Sequence, residues 1–331
     1  MLDFDNTITP NDIHLVESIA KNYLGSLDSP PINIPVGSVN KVFRVDIQKQ
    51  PYIFRLSQDP CKNKVQEYEK ERWCAQQAHQ AGIHTPLVLE VGIFENTAFM
   101  IQSFVEGELC TKETLDKMYI WEALGRSLSK IHAIRTEGYG MDLVDPENNR
   151  FSQSWDKWLD HNIHAINPDD PLLELGYVNA NEHKSMKECF LSIKAHDWHF
   201  GLFHGDVSLR NAILGDNGIV TIIDWGCAGS KIVPFIDFAQ IIKSERPTLK
   251  EFGAFLFGYG IETQMMPSVQ QKINQIALYA ATDTLRWAID HKVVARNRYI
   301  ASLRWALDLY LGKIEWHAAP YHEEYGLKNL R

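Results

Sequence analysis

Four residues within one short segment, His204, Asp206, Asn211 and Asp224, have side chains and spacing suited to moving a phosphoryl group. That reaction needs a group to orient or take up a hydroxyl proton, and oxygen ligands for a hard cation beside the phosphates. An Asn amide oxygen and an Asp carboxylate meet the second need, since Mg²⁺ binds oxygen at about 2.0–2.1 Å. Asp206, on the loop ahead of them, meets the first.

The same stretch contains the elements that must hold these groups. Ala212-Ile213-Leu214 and the run Ile219 to Ile223 are apolar and β-prone, and Gly215-Asp216-Asn217-Gly218 lies between them. Its Asn-Gly pair is a strong hairpin signal. Asn211 precedes the first strand and Asp224 follows the second, so closing the hairpin brings both to its open end. Neighbouring strands lie roughly 5 Å apart, which lets the two oxygens share one cation.

With that hairpin, the segment resembles the aminoglycoside phosphotransferase and choline kinase family, relatives of the protein kinases. The pattern H-G-D-x-x-x-x-N, a hairpin, I-D-W and a later P-x-x-D stands here as His204-Gly205-Asp206 with Asn211, Ile223-Asp224-Trp225, and Pro234 with Asp237. The resemblance implies that Asp206 orients or deprotonates an acceptor hydroxyl and that Asn211 and Asp224 hold Mg²⁺, with ATP or GTP as donor. It assigns His204 and Asp237 to bracing the loop. It implies an α+β, bilobal, protein-kinase-like fold. Residues 1–103 would form a small antiparallel-sheet N-lobe that binds nucleotide. Residues 104–331 would form a larger, mostly helical C-lobe carrying the catalytic hairpin and the acceptor site.

Composition agrees with a globular chain of this kind. The 331 residues are 45% apolar and 23% charged, enough for two lobes with a sizeable core. A formal net charge of −9 weighs against a nucleic-acid partner and tolerates cationic small molecules. Five cysteines, odd in number and without a C-x-x-C pair, favour reduced thiols and a cytoplasmic location. The N-terminus lacks the apolar core of a signal peptide, and no window reaches the ~20 apolar residues of a membrane span. Monomer and homodimer both remain open.

Along the chain, Asp3-Phe4-Asp5-Asn6-Thr7 matches the D-x-D-x-T loop of a phosphatase class, but only two residues precede it and no strand fits there. A helix is expected through Leu24, capped by Asn11 or Asp12. Residues 31–56 read as three strands. In the resembling family the turn containing Gly37 and Ser38 covers the nucleotide phosphates, and Arg55 stands where a strand lysine contacts them. The charged helix over 62–81 contains Glu67, Glu69 and Glu71, of which family spacing best suits Glu71 as the partner of the strand cation. Two more strands lead to Gln102-Ser103-Phe104, the position of the family's lobe hinge, where Gln102 and Phe104 would face the purine. Residues 138–153 read as a long loop. Further on, Asp283, Trp287 and Asp290 share a broad helical face that the resemblance places beside the acceptor.

The implied activity is Mg²⁺-dependent transfer of the γ-phosphate of ATP or GTP to a small-molecule hydroxyl. An aminoglycoside-type antibiotic is the favoured acceptor, with choline, sugars and homoserine-like alcohols as alternatives. Arg55 in place of lysine also allows a catalytically inactive nucleotide-binding module.

Overall fold

A computed structural model of the chain describes residues 7–35, 40–58, 63–111, 113–114 and 116–315. Helix α1 (Pro10–Tyr23) begins at Thr9, not at Asn11 or Asp12 as expected. Thr9 and Asp12 form a reciprocal capping box, and Pro10 occupies the first turn, where a missing N–H costs nothing. Strands β1 (Ile32–Asn33), β2 (Asn40–Ile47) and β3 (Gln50–Ser57) follow, then α2 (Asn63–Gln80), β4 (Val88–Phe94) and β5 (Thr97–Ser103). They form one antiparallel sheet in the order β1-β2-β3-β5-β4. Because side chains alternate along a strand, Phe43, Val45, Phe54, Leu56, Phe99 and Ile101 share one face and pack on Leu15, Val16 and Ile19 of α1. Ala98 and Met100 point the other way, onto Tyr68 of α2.

The chain continues through β6 (Glu108–Leu109), α3 (Lys117–His132), β7 (Tyr139–Asp145), β8 (Arg150–Gln153), α4 (Trp155–His164), the single turn α5 (Pro171–Glu174), α6 (Ala180–Lys194) and β9 (Phe200–Phe203). Then come β10 (Ala212–Leu214), β11 (Val220–Ile222), β12 (Gly229–Ile232), α7 (Phe235–Glu245), α8 (Leu249–Tyr259), α9 (Met266–Asp290) and α10 (Asn297–Tyr310). The described residues fall into two compact units, those within 1–110 and 210–227 and those within 111–209 and 228–331. This differs from a single cut at 103/104, because β10 pairs with both β11 and β6 and so joins the first unit. Gly107 makes that pairing possible. At φ +137° it sits where a Cβ would lie 2.4 Å from the Leu214 carbonyl oxygen.

The second unit is mostly helical around the sheet β8-β7-β12-β9. Residues 138–153 are not a long loop but supply β7 and β8. Their pairing shifts register twice, and the loop-prone residues Gly138, Gly140 and Asp145-Pro146-Glu147-Asn148-Asn149 hide them in the sequence. Phe238, Phe252, Phe255 and Tyr259 form one aromatic cluster of its core, and Trp155, Phe190 and Tyr279 form another. Among the described residues no helix is long and apolar enough to cross a membrane.

Candidate functional site

Arg55 lies on β3 between two buried neighbours, Phe54 and Leu56, so alternation turns it to the opposite face, towards α2. There one of its guanidinium nitrogens donates to Glu71 Oε1, and another lies 3.9 Å from Asp224 Oδ1. The Tyr68 ring adds a cation–π contact at 5.6 Å. Arg55 and Glu71 are both withdrawn from water, with side chains 13% and 3% exposed. Burial pulls the Arg55 pKa down, but Glu71, Tyr68 and Asp224 outweigh it and hold the guanidinium above its ordinary value. Of the three candidate acids on α2, Glu71 is the one that reaches the strand cation. Glu67 pairs with Lys64 at 2.6 Å and Glu69 with Arg72 at 3.4 Å, both near the surface.

The hairpin places Asn211 and Asp224 at one end, in the same unit. Ala212 pairs with Ile222, and the Ile223 N–H donates to the Asn211 carbonyl at 3.0 Å. Asn217 Oδ1 accepts from the Ile219 N–H at 3.0 Å, and Gly218 takes the left-handed turn position. Asp224 itself has φ +62°, a conformation that L-residues seldom adopt and that often marks a functional position. The Trp225 ring behind it is buried, and its indole N–H donates to the Ile222 carbonyl. Lys70, which sequence reasoning passed over, fixes the next turn by donating from Nζ to the Gly226 carbonyl at 2.6 Å. Its place in a charged helical run gave no sign of burial. Gln102 is buried at the end of β5, paired with Ile53, while the Phe104 ring carries the Arg44 guanidinium 4.9 Å above it. Gly37, Ser38, Asp3 and Asp5 lie outside the described residues.

In the second unit β9 delivers His204-Gly205-Asp206. Asp237, fully buried at the start of α7, accepts from the His204 N–H at 3.0 Å and the Gly205 N–H at 2.8 Å. It also bonds His132 Nε2 at 3.0 Å, and His132 Nδ1 meets the Tyr259 hydroxyl at 3.0 Å. Burial alone would raise the Asp237 pKa, but the His132 bond, the two imidazoles and the Gly205 N–H bring it below the usual carboxylate range. The Asp206 N–H donates to His204 Nδ1 at 3.3 Å. His132 and Asp237 thus hold the backbone of the loop whose next residue is Asp206.

A cavity of about 220 Å³ opens beside that loop, within the same unit, with Gly205 in its wall. Asp283 lines it and also accepts from Asn162 Nδ2 at 3.0 Å. Trp287 and Asp290, expected on the same face, do not line it. The Trp287 ring is half exposed and stacks on His291 at 4.7 Å.

The model of the phosphotransferase enzyme family matches residues 32–270. The chain belongs to the phosphotransferase enzyme family. It is accordingly an enzyme that transfers a phosphoryl group to an alcohol group of a small molecule. No curated protein matches its sequence. Among solved structures it is similar to a thermostable mutant of aminoglycoside phosphotransferase APH(4)-Ia in a ternary complex with AMP-PNP and hygromycin B. That match has 19% identity over 92% of this chain and 99% of the other, with a TM-score of 0.64. It is similar also to the GDP and kanamycin complex of APH(2")-IIia, at 14% identity, 92% and 100% coverage and a TM-score of 0.61. Macrolide 2'-phosphotransferase MphH from Brachybacterium faecium gives 14% identity, 92% and 100% coverage and a TM-score of 0.59. These likenesses establish the protein-kinase-like fold of the phosphotransferase chain.

Asn211 and Asp224, brought to one end of the hairpin, are the residues expected from the sequence to hold a hard cation. Both offer oxygen, and the Asp224 side chain is half exposed. Among the described residues no three His, Cys, Asp or Glu side chains group into a metal site. The pair therefore fits a cation such as Mg²⁺ that takes most of its oxygens from phosphates and water.

Proposed function

We propose that the protein transfers the γ-phosphate of Mg²⁺-bound ATP or GTP to a hydroxyl of a small molecule. The observation that carries this reading is Arg55, withdrawn from water on the central strand of the five-stranded sheet with Glu71 and Asp224 beside its guanidinium. Its fork is charged at any ordinary pH and offers further N–H donors to phosphate oxygens. Glu71 fixes that fork, which argues against the inactive alternative raised by the missing lysine. Asn211 and Asp224 hold the metal, which when bound neutralises charge on the donor's phosphates.

Asp206 orients the acceptor hydroxyl and accepts its proton as the oxygen attacks. The new bond runs from the acceptor oxygen to the γ-phosphorus. The bond from phosphorus to the β–γ bridging oxygen breaks, and the nucleoside diphosphate leaves with that oxygen. Asp237 and His132 contribute by holding the Asp206 loop, so that positioning supplies much of the rate. Free cysteines at Cys74, Cys110, Cys189 and Cys227 support a reducing, cytoplasmic setting.

For the acceptor, the aminoglycoside reading is supported by the hygromycin B and kanamycin named for two of the structural neighbours, and by the net charge of −9. A second reading, an acceptor that is not cationic, is favoured by the two lysines that line the cavity beside Gly205. Phosphorus NMR of a reaction containing Mg²⁺, nucleotide and a candidate acceptor tests the transfer itself. A new monoester resonance is expected with wild-type protein and none with Asp224→Ala. Equal yield from a folded Asp224→Ala protein would remove the metal assignment.

A further inference from the structure

The cavity beside Gly205 holds three charged side chains, drawn from three different elements. Lys231 comes from β12, Lys243 from α7 and Asp283 from α9. Among the described residues neither lysine has an ion pair or a hydrogen bond. Lys231 Nζ instead lies 4.0 Å from the centre of the Tyr139 ring. Most of the remaining wall is aromatic or aliphatic, including Phe203, Ala277 and Trp305. Two ammonium groups in an apolar wall, facing one carboxylate, give the site a net positive charge.

Electrostatics around the lysines agree with that geometry. Burial pulls the Lys231 pKa down to about 8, with only Asp283 opposing the shift. Lys243 is also pulled below its ordinary value, first by burial and then by repulsion from Arg298 of α10. A buried cation gains most when an anion arrives to pair with it. A polycationic acceptor would meet the opposite situation and would bring further positive charge to a wall that already repels it.

Resting on the phosphotransfer reading above, we propose that this cavity is the acceptor site and that it selects a small hydroxyl compound carrying a carboxylate or phosphate group. Lys231 and Lys243 hold the anionic group. Asp283 accepts hydrogen bonds from the acceptor's remaining hydroxyls. The hydroxyl to be phosphorylated points to the Gly205 side, where Asp206 follows.

The test is isothermal titration of the full chain with four probes: gluconate, glucose 6-phosphate, glucose and kanamycin. Each is run on wild-type protein and on Lys231→Met/Lys243→Met. The expected result is that at least one anionic probe binds about tenfold or more tighter than glucose, and that the double variant loses this margin. Gluconate against glucose 6-phosphate separates the carboxylate from the phosphate source. The proposal is overturned if neither anion binds better than glucose, if kanamycin binds most tightly, or if the double variant keeps the preference. Single Lys231→Met and Lys243→Met proteins serve where the double variant does not fold. Binding of Mg-nucleotide is titrated in parallel. If nucleotide binds while the anions do not, the acceptor proposal falls and the phosphotransfer reading stands.

Discussion

Arg55 and Lys231 are both cations held largely out of water, in opposite surroundings. Arg55 faces Glu71 and Asp224, and its guanidinium is more firmly protonated than in solution. Lys231 faces an aromatic ring and has no ion pair among the described residues, and its ammonium has been weakened to a pKa of about 8. Desolvation acts in the same direction on both, so the partners decide the sign of the shift. A buried cation with its counter-charge in place is a fixed part of a site. One whose nearest carboxylate, here Asp283, does not offset its burial is suited to receive an anion, which is why the first is assigned to the nucleotide and the second to the acceptor.

The strongest way to break that contrast is to remove Asp224, the partner that Arg55 shares with the proposed metal site. Asp224→Ala is expected to lower transfer by at least about 10²-fold, as removal of a charge-stabilising group does elsewhere. Its fold should survive, because the side chain is half exposed. Circular dichroism beside a turnover assay checks both halves of that statement. Glu71→Ala should instead act on stability. It strands a buried guanidinium, and loss of one member of a buried pair costs about 3 kcal/mol or more. A urea midpoint that falls with an unchanged slope is the expected reading.

Lys231→Met sharpens the comparison with a change of opposite sign. Here an unpaired ammonium gives way to an apolar chain of similar length, and stability should hold or rise by about 1 kcal/mol. A further effect concerns pH. Folded Lys231 loses its proton above about 8. In the unfolded chain it keeps the proton to about 10.4. Between those values the unfolded state binds more protons, so this residue's contribution to stability rises with pH. Wild-type stability measured from pH 8 to 10 should therefore gain on that of Lys231→Met. Parallel curves would contradict the pairing argument.

How much of this was legible in the sequence depended on how local each signal was. The hairpin from Asn211 to Asp224 was readable because its strands, turn and chemical residues fit within fourteen positions. Arg55 and Glu71 are joined across a strand and a helix, and family spacing supplied what periodicity alone could not, since α2 is charged on several faces. Strands β7 and β8 are hard to read because Gly138 and Gly140 flank Tyr139, the run Asp145-Pro146-Glu147-Asn148-Asn149 reads as turn, and β8 is only four residues long. Lys70 reads as one more surface charge until its bond to Gly226 is seen. The lysines of the cavity were invisible for a plainer reason. Lys231 and Lys243 sit on the consecutive elements β12 and α7, but Asp283 comes from α9 and Trp305 from α10, and only the fold of the second unit brings them to one wall. Asp283 shares its helical face with Trp287 and Asp290, and spacing cannot say which residue of a broad face meets a cavity.

The central claim is that Asp206 serves a hydroxyl phosphotransfer reaction. Its most direct test is nucleoside diphosphate release from Mg²⁺ with ATP or GTP, measured with and without acceptor for wild type and Asp206→Ala. Release should depend on an acceptor and fall by about 10²–10⁴-fold in the variant, the usual contribution of a positioned acid–base group. Acceptor-dependent release at the wild-type rate from folded Asp206→Ala protein would contradict it.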